Sequence, residues 1–326
     1  MKPIKLAPVF KDYLWGGTRL KEDFNKCSEL GIIAESWELS THPDGESHIL
    51  NGEFQGLTLR EYLNEVGTQV LGTVCENEKE LPILIKLIDS KQSLSIQVHP
   101  DDTYALRVEQ DHGKTEMWLI LDCEDDATLY YGVKEELSKE EFKERIEKNT
   151  ILEILNEVPV KKGDVFFIEA GTIHAIKEGI VILEIQQSSN ATYRIYDYNR
   201  KDVNGNLREL HLNKALDVMK LSPSKDDYLI QGSIEKFDGY TSQLLRRCDY
   251  FTTQKYRVSC STKIDITSTS FQSIIVIDGR GQLIYQDEII DIKKGDSLFI
   301  PAQDTMYEVQ GNCEFVLTYL ECRDSI

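Results

Sequence analysis

The stretch KKGDVFFIEAGTIHAI at residues 161–176 decides the fold, because its first ten residues return later in the chain. Residues 161–170 read KKGDVFFIEA and residues 293–302 read KKGDSLFIPA, with seven of ten positions identical. Each copy contains a Gly-Asp turn that leads into a short apolar strand and then into another turn. An internal repeat of this kind predicts two related β units in one chain.

The two copies differ where they end. The first continues into Gly171-Thr172-Ile173-His174, whereas the second places Met306 at the position of the histidine. All six histidines of the chain precede residue 212, so the second unit cannot supply a histidine metal site. We therefore predict a duplicated β-barrel in which only the first barrel has a functional metal position.

The remaining pattern is that of a mainly β protein with a few helices packed on the first barrel. Capping boxes at Thr58–Glu61 and Ser138–Glu141 start helices that we expect to extend to about residues 71 and 155. A third helix is expected near 211–220, and alternating or apolar stretches predict strands elsewhere. Residues 221–233 are typical of a linker. We therefore expect two domains, 1–230 and 231–326.

Charge and composition limit the partners. The chain has 37 basic and 56 acidic residues, a net charge of −19, which argues against nucleic acid and anionic membranes. An anionic ligand would need a site that gathers positive charge locally.

No apolar run approaches the length of a membrane span, and the N-terminal residues lack the apolar core of a signal peptide, so we expect a cytoplasmic location. The seven cysteines are scattered without a C-x-x-C pair, which predicts reduced thiols.

Four residues in three segments have the chemistry of a metal site. Gln97 and His99 lie two apart in LSIQVHPDD, so that both side chains point to the same side of a strand. Glu116 begins the next strand in GKTEMW, and His174 lies in AGTIHAI. Two imidazoles, a carboxylate and an amide oxygen suit Zn²⁺, with Mn²⁺, Fe²⁺, Ni²⁺ or Co²⁺ as possible alternatives. Any one of these residues could be a satisfied polar group in a barrel interior, but four in matching motifs favour a metal.

These segments resemble known families. The spacing of Gly163, Glu169, Gly171 and His174 is similar to the second motif of cupins, except that Glu169 stands where proline is usual. LSIQVHPDD, GKTEMW, AGTIHAI and YLWGG together resemble the type I mannose-6-phosphate isomerases in their short bacterial form, over essentially the whole chain. The resemblance implies two cupin-type jelly-roll barrels, one zinc ion and the interconversion of D-mannose 6-phosphate and D-fructose 6-phosphate. The expected partner is a small sugar phosphate, and the expected state is a monomer or homodimer.

The implied reaction fixes what the catalytic side chains must do. An aldose–ketose isomerase moves a proton between C1 and C2 and must stabilise the charge of an enediolate. Lys114 lies two residues before Glu116 and would point to the same side. The resemblance gives Arg194, in NATYRIYDY, a role towards the substrate. Glu184, in VILEIQ, matches a glutamate of the family and is the candidate base, with Lys114 as its rival; the alternative for Glu184 is a structural partner of Arg194.

Three further residues are candidates for substrate binding. Lys86 stands alone in the apolar strand LPILIKLID, where it either has a buried partner or lies at an edge with its ammonium reaching water. Ser95 precedes Gln97 by two residues and could donate to a phosphate. Trp15, in YLWGG, either lines the sugar pocket or belongs to the core.

Two departures from the family keep other functions open. Gln187-Ser188-Ser189-Asn190 replaces a frequent Asn-Ser-Asp-Asn, and Gly113 stands where long bacterial forms often carry histidine. The alternatives are a non-catalytic sugar-phosphate-binding paralogue or sensor, and a bicupin dioxygenase with a redox-active metal.

Overall fold

Antiparallel strands make up most of the protein. The computed structural model describes residues 1–201, 205–224 and 229–321. The strands up to residue 196 are β1 Ile4–Ala7, β2 Val9–Lys11, β3 Glu35–Leu39, β4 His48–Ile49, β5 Ile83–Ser90, β6 Ile96–Val98, β7 Glu116–Cys123, β8 Thr128–Val133, β9 Leu155–Pro159, β10 Val165–Ile168, β11 His174–Ile176, β12 Ile180–Gln187 and β13 Tyr193–Tyr196. The later strands are β14 Glu235–Phe237, β15 Tyr240–Arg247, β16 Thr252–Val258, β17 Ser261–Ile266, β18 Gln272–Tyr285, β19 Glu288–Lys293, β20 Ser297–Ile300 and β21 Thr305–Tyr319.

The strands form three sheets. A six-stranded sheet has the order β10-β7-β12-β5-β3-β2, and a five-stranded sheet has the order β13-β6-β11-β8-β9. The C-terminal strands form a ten-stranded sheet, β14-β15-β16-β21-β18-β20-β1-β4, in which β17 also pairs with β21 and β19 with β18. The predicted mainly β, jelly-roll class is confirmed. The jelly-roll sheets do not close into a barrel, because within the described ranges the six- and five-stranded sheets share no hydrogen-bonded ladder.

The sequence repeat is a structural repeat. Gly163 and Gly295 have φ values of +93° and +92°, a region that favours glycine. In each copy the backbone N–H of the first lysine donates to the carboxylate of the aspartate three residues later, at 2.9 Å and 2.8 Å. Each turn then leads into a buried strand, β10 in the first copy and β20 in the second.

Six α-helices lie in the described part of the chain, all between residues 19 and 218. They are α1 Arg19–Phe24, α2 Leu59–Val66, α3 Asp102–Val108, α4 Lys139–Glu147, α5 Ile151–Ile154 and α6 Leu212–Val218. Both predicted capping boxes are present, at α2 and α4. The predicted C-terminal ends were too late, because Gly67 and Asn149 adopt positive φ values of 88° and 55° and end the helical path. Part of the predicted linker, residues 225–228, lies outside the described residues.

The two halves of the chain share a sheet. Strand β1 pairs with β20 of the second unit and with β4 of the first. Close by, buried Lys26 makes an ion pair with Glu38 at 2.6 Å and donates to the carbonyl of Gly295 at 2.5 Å. Strands β1 and β4 therefore belong structurally to the C-terminal sheet, and the division at residue 230 stays a prediction.

Two chemical expectations concern the chain as a whole. The six cysteines in the described residues are free, and Cys322 lies outside them. Among the described residues, no helix is both long and apolar enough to cross a membrane.

Candidate metal centre and cleft

Strands from two sheets bring the four predicted metal ligands together. In the five-stranded sheet, His174 at the start of β11 pairs with Gln97 on β6. His99 follows β6 by one residue, and its carbonyl accepts a hydrogen bond from Gly171 at 2.8 Å. Glu116 begins β7 in the six-stranded sheet. The cluster therefore lies between the two sheets, at the ends of these strands.

Three of these residues form a compact, fully buried cluster. Glu116 Oε2 lies 3.6 Å from His99 Nε2, and Glu116 Oε1 lies 3.5 Å from His174 Nε2. All three offered ligand atoms lie within 4.8 Å of one another. The Gln97 side-chain nitrogen lies 3.3 Å from His174 Nε2. Because amide nitrogen and oxygen are interchanged by a half-turn, the same position can present the oxygen to this cluster.

Backbone carbonyls orient both imidazoles. His99 Nδ1 lies 2.9 Å from the carbonyl of Ala191, and His174 Nδ1 lies 2.9 Å from the carbonyl of Thr172. A ring that donates from Nδ1 keeps its proton there and leaves Nε2 with a free lone pair. Both Nε2 atoms face Glu116. Metal-binding histidines usually have their second ring nitrogen held by a hydrogen bond in this way.

The protonation states of the two histidines leave their Nε2 atoms able to bind a cation. Burial, with a smaller effect of Lys114, lowers the pKa of His99 well below its usual value. Burial lowers the pKa of His174 to about 4, so both rings are neutral at pH 7. Burial, then Glu184, raises the pKa of Glu116 to about 7. Glu116 is therefore partly protonated at neutral pH, and a metal that binds its carboxylate must release that proton.

A divalent metal ion fits this cluster. Glu116 Oε1 is buried and has no hydrogen-bond partner, which is costly for a polar atom away from water. Two imidazole nitrogens and a carboxylate, with an amide oxygen available beside them, are ligands of the kind that bind zinc and neighbouring transition metals. The described residues contain one such group of histidine, cysteine and acidic side chains.

Lys114 adjoins the metal cluster directly. Its Nζ lies 3.2 Å from His99 Nε2, donates to Glu116 Oε2 and lies 3.9 Å from Glu184 Oε1. The side chain is buried, as expected from its position two residues before Glu116. A cationic donor therefore stands between the candidate ligands and the candidate base.

Lys86 is part of a buried charge network rather than an edge residue. Strand β5 is flanked by β12 and β3, so the edge interpretation was wrong. Lys86 Nζ lies 3.3 Å from Glu184 Oε1, 3.8 Å from Glu35 Oε2 and 4.9 Å from the centre of the Trp37 ring. Burial favours the neutral amine, but Glu35 and Glu184 outweigh it and raise the pKa of Lys86 above its ordinary value.

Glu184 is held as a carboxylate by this network. Its Oε2 accepts a hydrogen bond from Trp118 Nε1 at 3.0 Å. Burial opposes ionisation, but Lys114 and Lys86 prevail, so that the pKa of Glu184 is lowered. The structural alternative that paired Glu184 with Arg194 was wrong, since its close charged partners are the two lysines.

A cleft of about 270 Å³ opens beside the cluster. Seven of the predicted site residues line it: Trp15, Lys86, Ser95, Gln97, Lys114, Glu184 and Arg194. The buried cluster of candidate ligands adjoins this wall, since Gln97 and Lys114 contact it. Trp15 is 4% exposed, so it belongs both to the core and to the wall of the cleft.

The sequence did not identify several residues that line the cleft. They are Tyr13, Glu35, Ile88, Leu94, Ile176, Asn190, Thr192 and Arg208.

Arg208 makes two hydrogen bonds to Asp197, both at 2.7 Å. Burial, then the neighbouring Arg208, lowers the pKa of Arg194. Four cations, including Lys86 and Lys114, therefore face the cleft against two carboxylates, although the whole chain has a charge of −19.

The departures noted in the sequence have structural counterparts. A Cβ at Gly113 would lie 2.5 Å from the backbone nitrogen of Asp102, so a histidine does not fit there. Glu169 points away from the cluster and pairs with Lys220 at 2.8 Å. Met306, at the position equivalent to His174, is 50% exposed, whereas His174 is fully buried.

Comparisons with known proteins agree over the length of the chain. The model described as phosphomannose isomerase type I, catalytic domain, matches residues 4–116, and the model described as mannose-6-phosphate isomerase, cupin domain, matches residues 241–320. The putative mannose-6-phosphate isomerase YvyI and the mannose-6-phosphate isomerase ManA, both of Bacillus subtilis, are 39% and 37% identical to this chain, each over 98% of it and 99% of the relative. A crystal structure of the mannose 6-phosphate isomerase from Bacillus subtilis superposes with a TM-score of 0.90 at 38% identity, covering 98% of this chain and 99% of that one.

Proposed function

Because this chain belongs to the type I phosphomannose isomerase family, we propose that it interconverts D-mannose 6-phosphate and D-fructose 6-phosphate with one zinc ion. The observation that carries the proposal is the position of the buried His99–Glu116–His174 cluster beside a cleft lined by four cations. Gln97, His99, Glu116 and His174 would hold the ion. When bound, it supplies positive charge that stabilises the enediolate.

The phosphate group is assigned to Arg194, Arg208 and Ser95. The two guanidiniums are close enough that Arg208 lowers the pKa of Arg194, and the buried Nε of Arg194 has no hydrogen-bond partner. A phosphate dianion would offset the repulsion between the two guanidinium groups and would accept hydrogen bonds from their N–H groups. Ser95 lines the same cleft and has a hydroxyl that can donate to the phosphate.

Proton transfer between C1 and C2 is assigned to Glu184. A base must be ionised before the reaction, and the two lysines keep Glu184 in that form. Lys114 would donate to the oxygen on which the enediolate charge develops, since it lies between Glu184 and the cluster. Lys86 would act on Glu184 rather than on the sugar, because its Nζ lies 3.3 Å from Glu184 Oε1 and pairs with that carboxylate. Trp15 would form one wall of the sugar site.

Coupled turnover of mannose 6-phosphate in deuterated water tests these roles. We expect the wild-type protein to form fructose 6-phosphate and to exchange the transferred hydrogen with solvent. Glu184→Gln should lower kcat by roughly 10²- to 10⁴-fold, the usual contribution of a general base, while metal content is unchanged. Glu169→Gln is the matched control, since Glu169 is exposed and paired with Lys220. If Glu184→Gln keeps full solvent exchange and Lys114→Met loses it, the base is Lys114.

The alternatives predict different results in the same assay. A sensor or inactive paralogue would bind mannose 6-phosphate without turnover. A bicupin dioxygenase would require a redox-active metal, and zinc-loaded protein would be inactive. Membership of the isomerase family and the cationic cleft favour the isomerase over both.

A further inference from the structure

Three successive backbone N–H groups around Lys114 are held by fixed acceptors. Gly113 donates to Asp102 Oδ1 at 2.8 Å, and Lys114 donates to the carbonyl of Pro100 at 3.0 Å. Thr115 donates to the side-chain oxygen of Gln187 at 2.8 Å. The segment that carries Lys114 therefore has little freedom to shift along or away from β7.

Two of these acceptors are joined to each other and to the second unit. Gln187 Nε2 donates to Asp102 Oδ1 at 2.9 Å, and the Tyr250 hydroxyl donates to Asp102 Oδ2 at 3.1 Å. Tyr250 lies between β15 and β16, in the C-terminal part of the chain. A continuous path of hydrogen bonds thus connects the C-terminal unit with the backbone on both sides of Lys114.

Close packing makes this segment sensitive to its supports. The α-carbon of Gly113 lies so near the chain at Asp101 and Asp102 that an added Cβ would come within 2.5 Å of the Asp102 nitrogen and 2.6 Å of the Asp101 carbonyl carbon. Gln187 is 4% exposed, so water cannot readily replace its amide.

We propose that Asp102, Gln187 and Tyr250 are positioning residues that set the place of the Lys114 ammonium, and that the C-terminal unit acts on the site through the Tyr250 hydroxyl. The proposal rests on the isomerase function given above. Lys114 Nζ lies 3.2 Å from His99 and 3.9 Å from Glu184, and a displacement of about 1 Å at a catalytic group can cost on the order of a hundredfold in rate. The three residues do not touch the cluster of ligands in any hydrogen bond of the described structure.

The test uses the full-length, metal-loaded protein with Tyr250→Phe, Asp102→Ala and Asp102→Asn. We expect kcat to fall roughly fivefold in Tyr250→Phe, the loss of about one hydrogen bond, and further in Asp102→Ala. The KM for mannose 6-phosphate and the metal content should stay at wild-type values. Asp102→Asn retains an oxygen acceptor for Gly113 and should restore most of the rate. Tyr104→Phe is the control, because its hydroxyl also donates to an aspartate, Asp217, at 2.9 Å.

Hydrogen exchange separates this proposal from the proposed function. Amides 113–115 should exchange faster in Asp102→Ala and Tyr250→Phe, with wild-type rates retained in Tyr104→Phe. Unchanged exchange at these amides would overturn the proposal whatever the kinetics, and so would faster exchange with an unchanged kcat. Because exchange needs no turnover, a wild-type protein that does not isomerise mannose 6-phosphate would refute the proposed function alone, and exchange would still decide whether the three residues hold the segment.

Discussion

Replacing Lys86 with methionine removes the cation that two buried carboxylates share. Lys86 Nζ lies 3.3 Å from Glu184 and 3.8 Å from Glu35. At an effective dielectric constant of about 20, these distances correspond to Coulomb energies of about 5 and about 4 kcal/mol before desolvation is subtracted. Loss of one partner from a buried pair usually costs about 3–5 kcal/mol of stability, and we expect Lys86→Met to lie in this range.

The same change should alter the pH dependence of turnover. Lys86 is one of the two lysines that lower the pKa of Glu184, so its removal raises that pKa. If only a quarter of the Coulomb energy between Lys86 and Glu184 is realised, about 1.3 kcal/mol, the shift is about one pKa unit. Glu184 must be ionised to act as the base. The acidic limb of kcat against pH should therefore move upwards by at least about one unit.

The assay is coupled turnover from pH 5 to 9, with metal content measured at each pH. Lys26→Met is the matched control, because Lys26 is also buried and paired with a glutamate, Glu38, away from the cleft. We expect the control to lose stability without a shift of the acidic limb. An unmoved limb in Lys86→Met would refute the assignment of Glu184 as the base whose ionisation controls the rate.

Three further predictions concern the metal centre and its surroundings. Metal binding should release more protons at pH 6 than at pH 8, because burial and Glu184 raise the pKa of Glu116 to about 7 and its carboxyl is protonated below that pH; calorimetry in buffers of different ionisation enthalpy measures this, and equal release at both pH values would contradict it. Gly113→Ala should destabilise the protein by about 1–3 kcal/mol through contact with the Asp102 backbone, as measured by urea unfolding; a neutral effect would contradict the close approach. Met306→His should not create a second metal site, since Met306 is half exposed and the described ligand cluster lies elsewhere; metal analysis showing two equivalents would contradict this.

Local spacing was enough to predict which residues form the buried cluster. Gln97 and His99 are two apart on a strand and therefore share a side, and the Gly171–His174 turn directly follows residues 161–170, whose second copy is present at residues 293–302. The capping boxes predicted the starts of α2 and α4 for the same reason, since the interaction joins residues three apart. The ends of these helices depended on single residues with positive φ, which the apolar pattern does not reveal.

Non-local pairing explains what the sequence could not provide. A lysine in an apolar strand indicates burial, but the partners of Lys86 come from β3 and β12, and strand order cannot be deduced from the periodicity of β5. Arg208 lines the cleft, but it lies in a segment whose sequence has no helical or strand periodicity. Its position therefore depends on the fold of the whole chain and could not be predicted locally. The addition of β1 to the C-terminal sheet likewise joins residues almost 300 positions apart.

Titration of metal-stripped protein with zinc tests the central claim most directly. We predict that chelation abolishes isomerisation of mannose 6-phosphate, that activity returns linearly and saturates at one ion per chain, and that His174→Ala neither binds the ion nor regains activity. Full turnover by protein that elemental analysis shows to be free of metal would contradict the account.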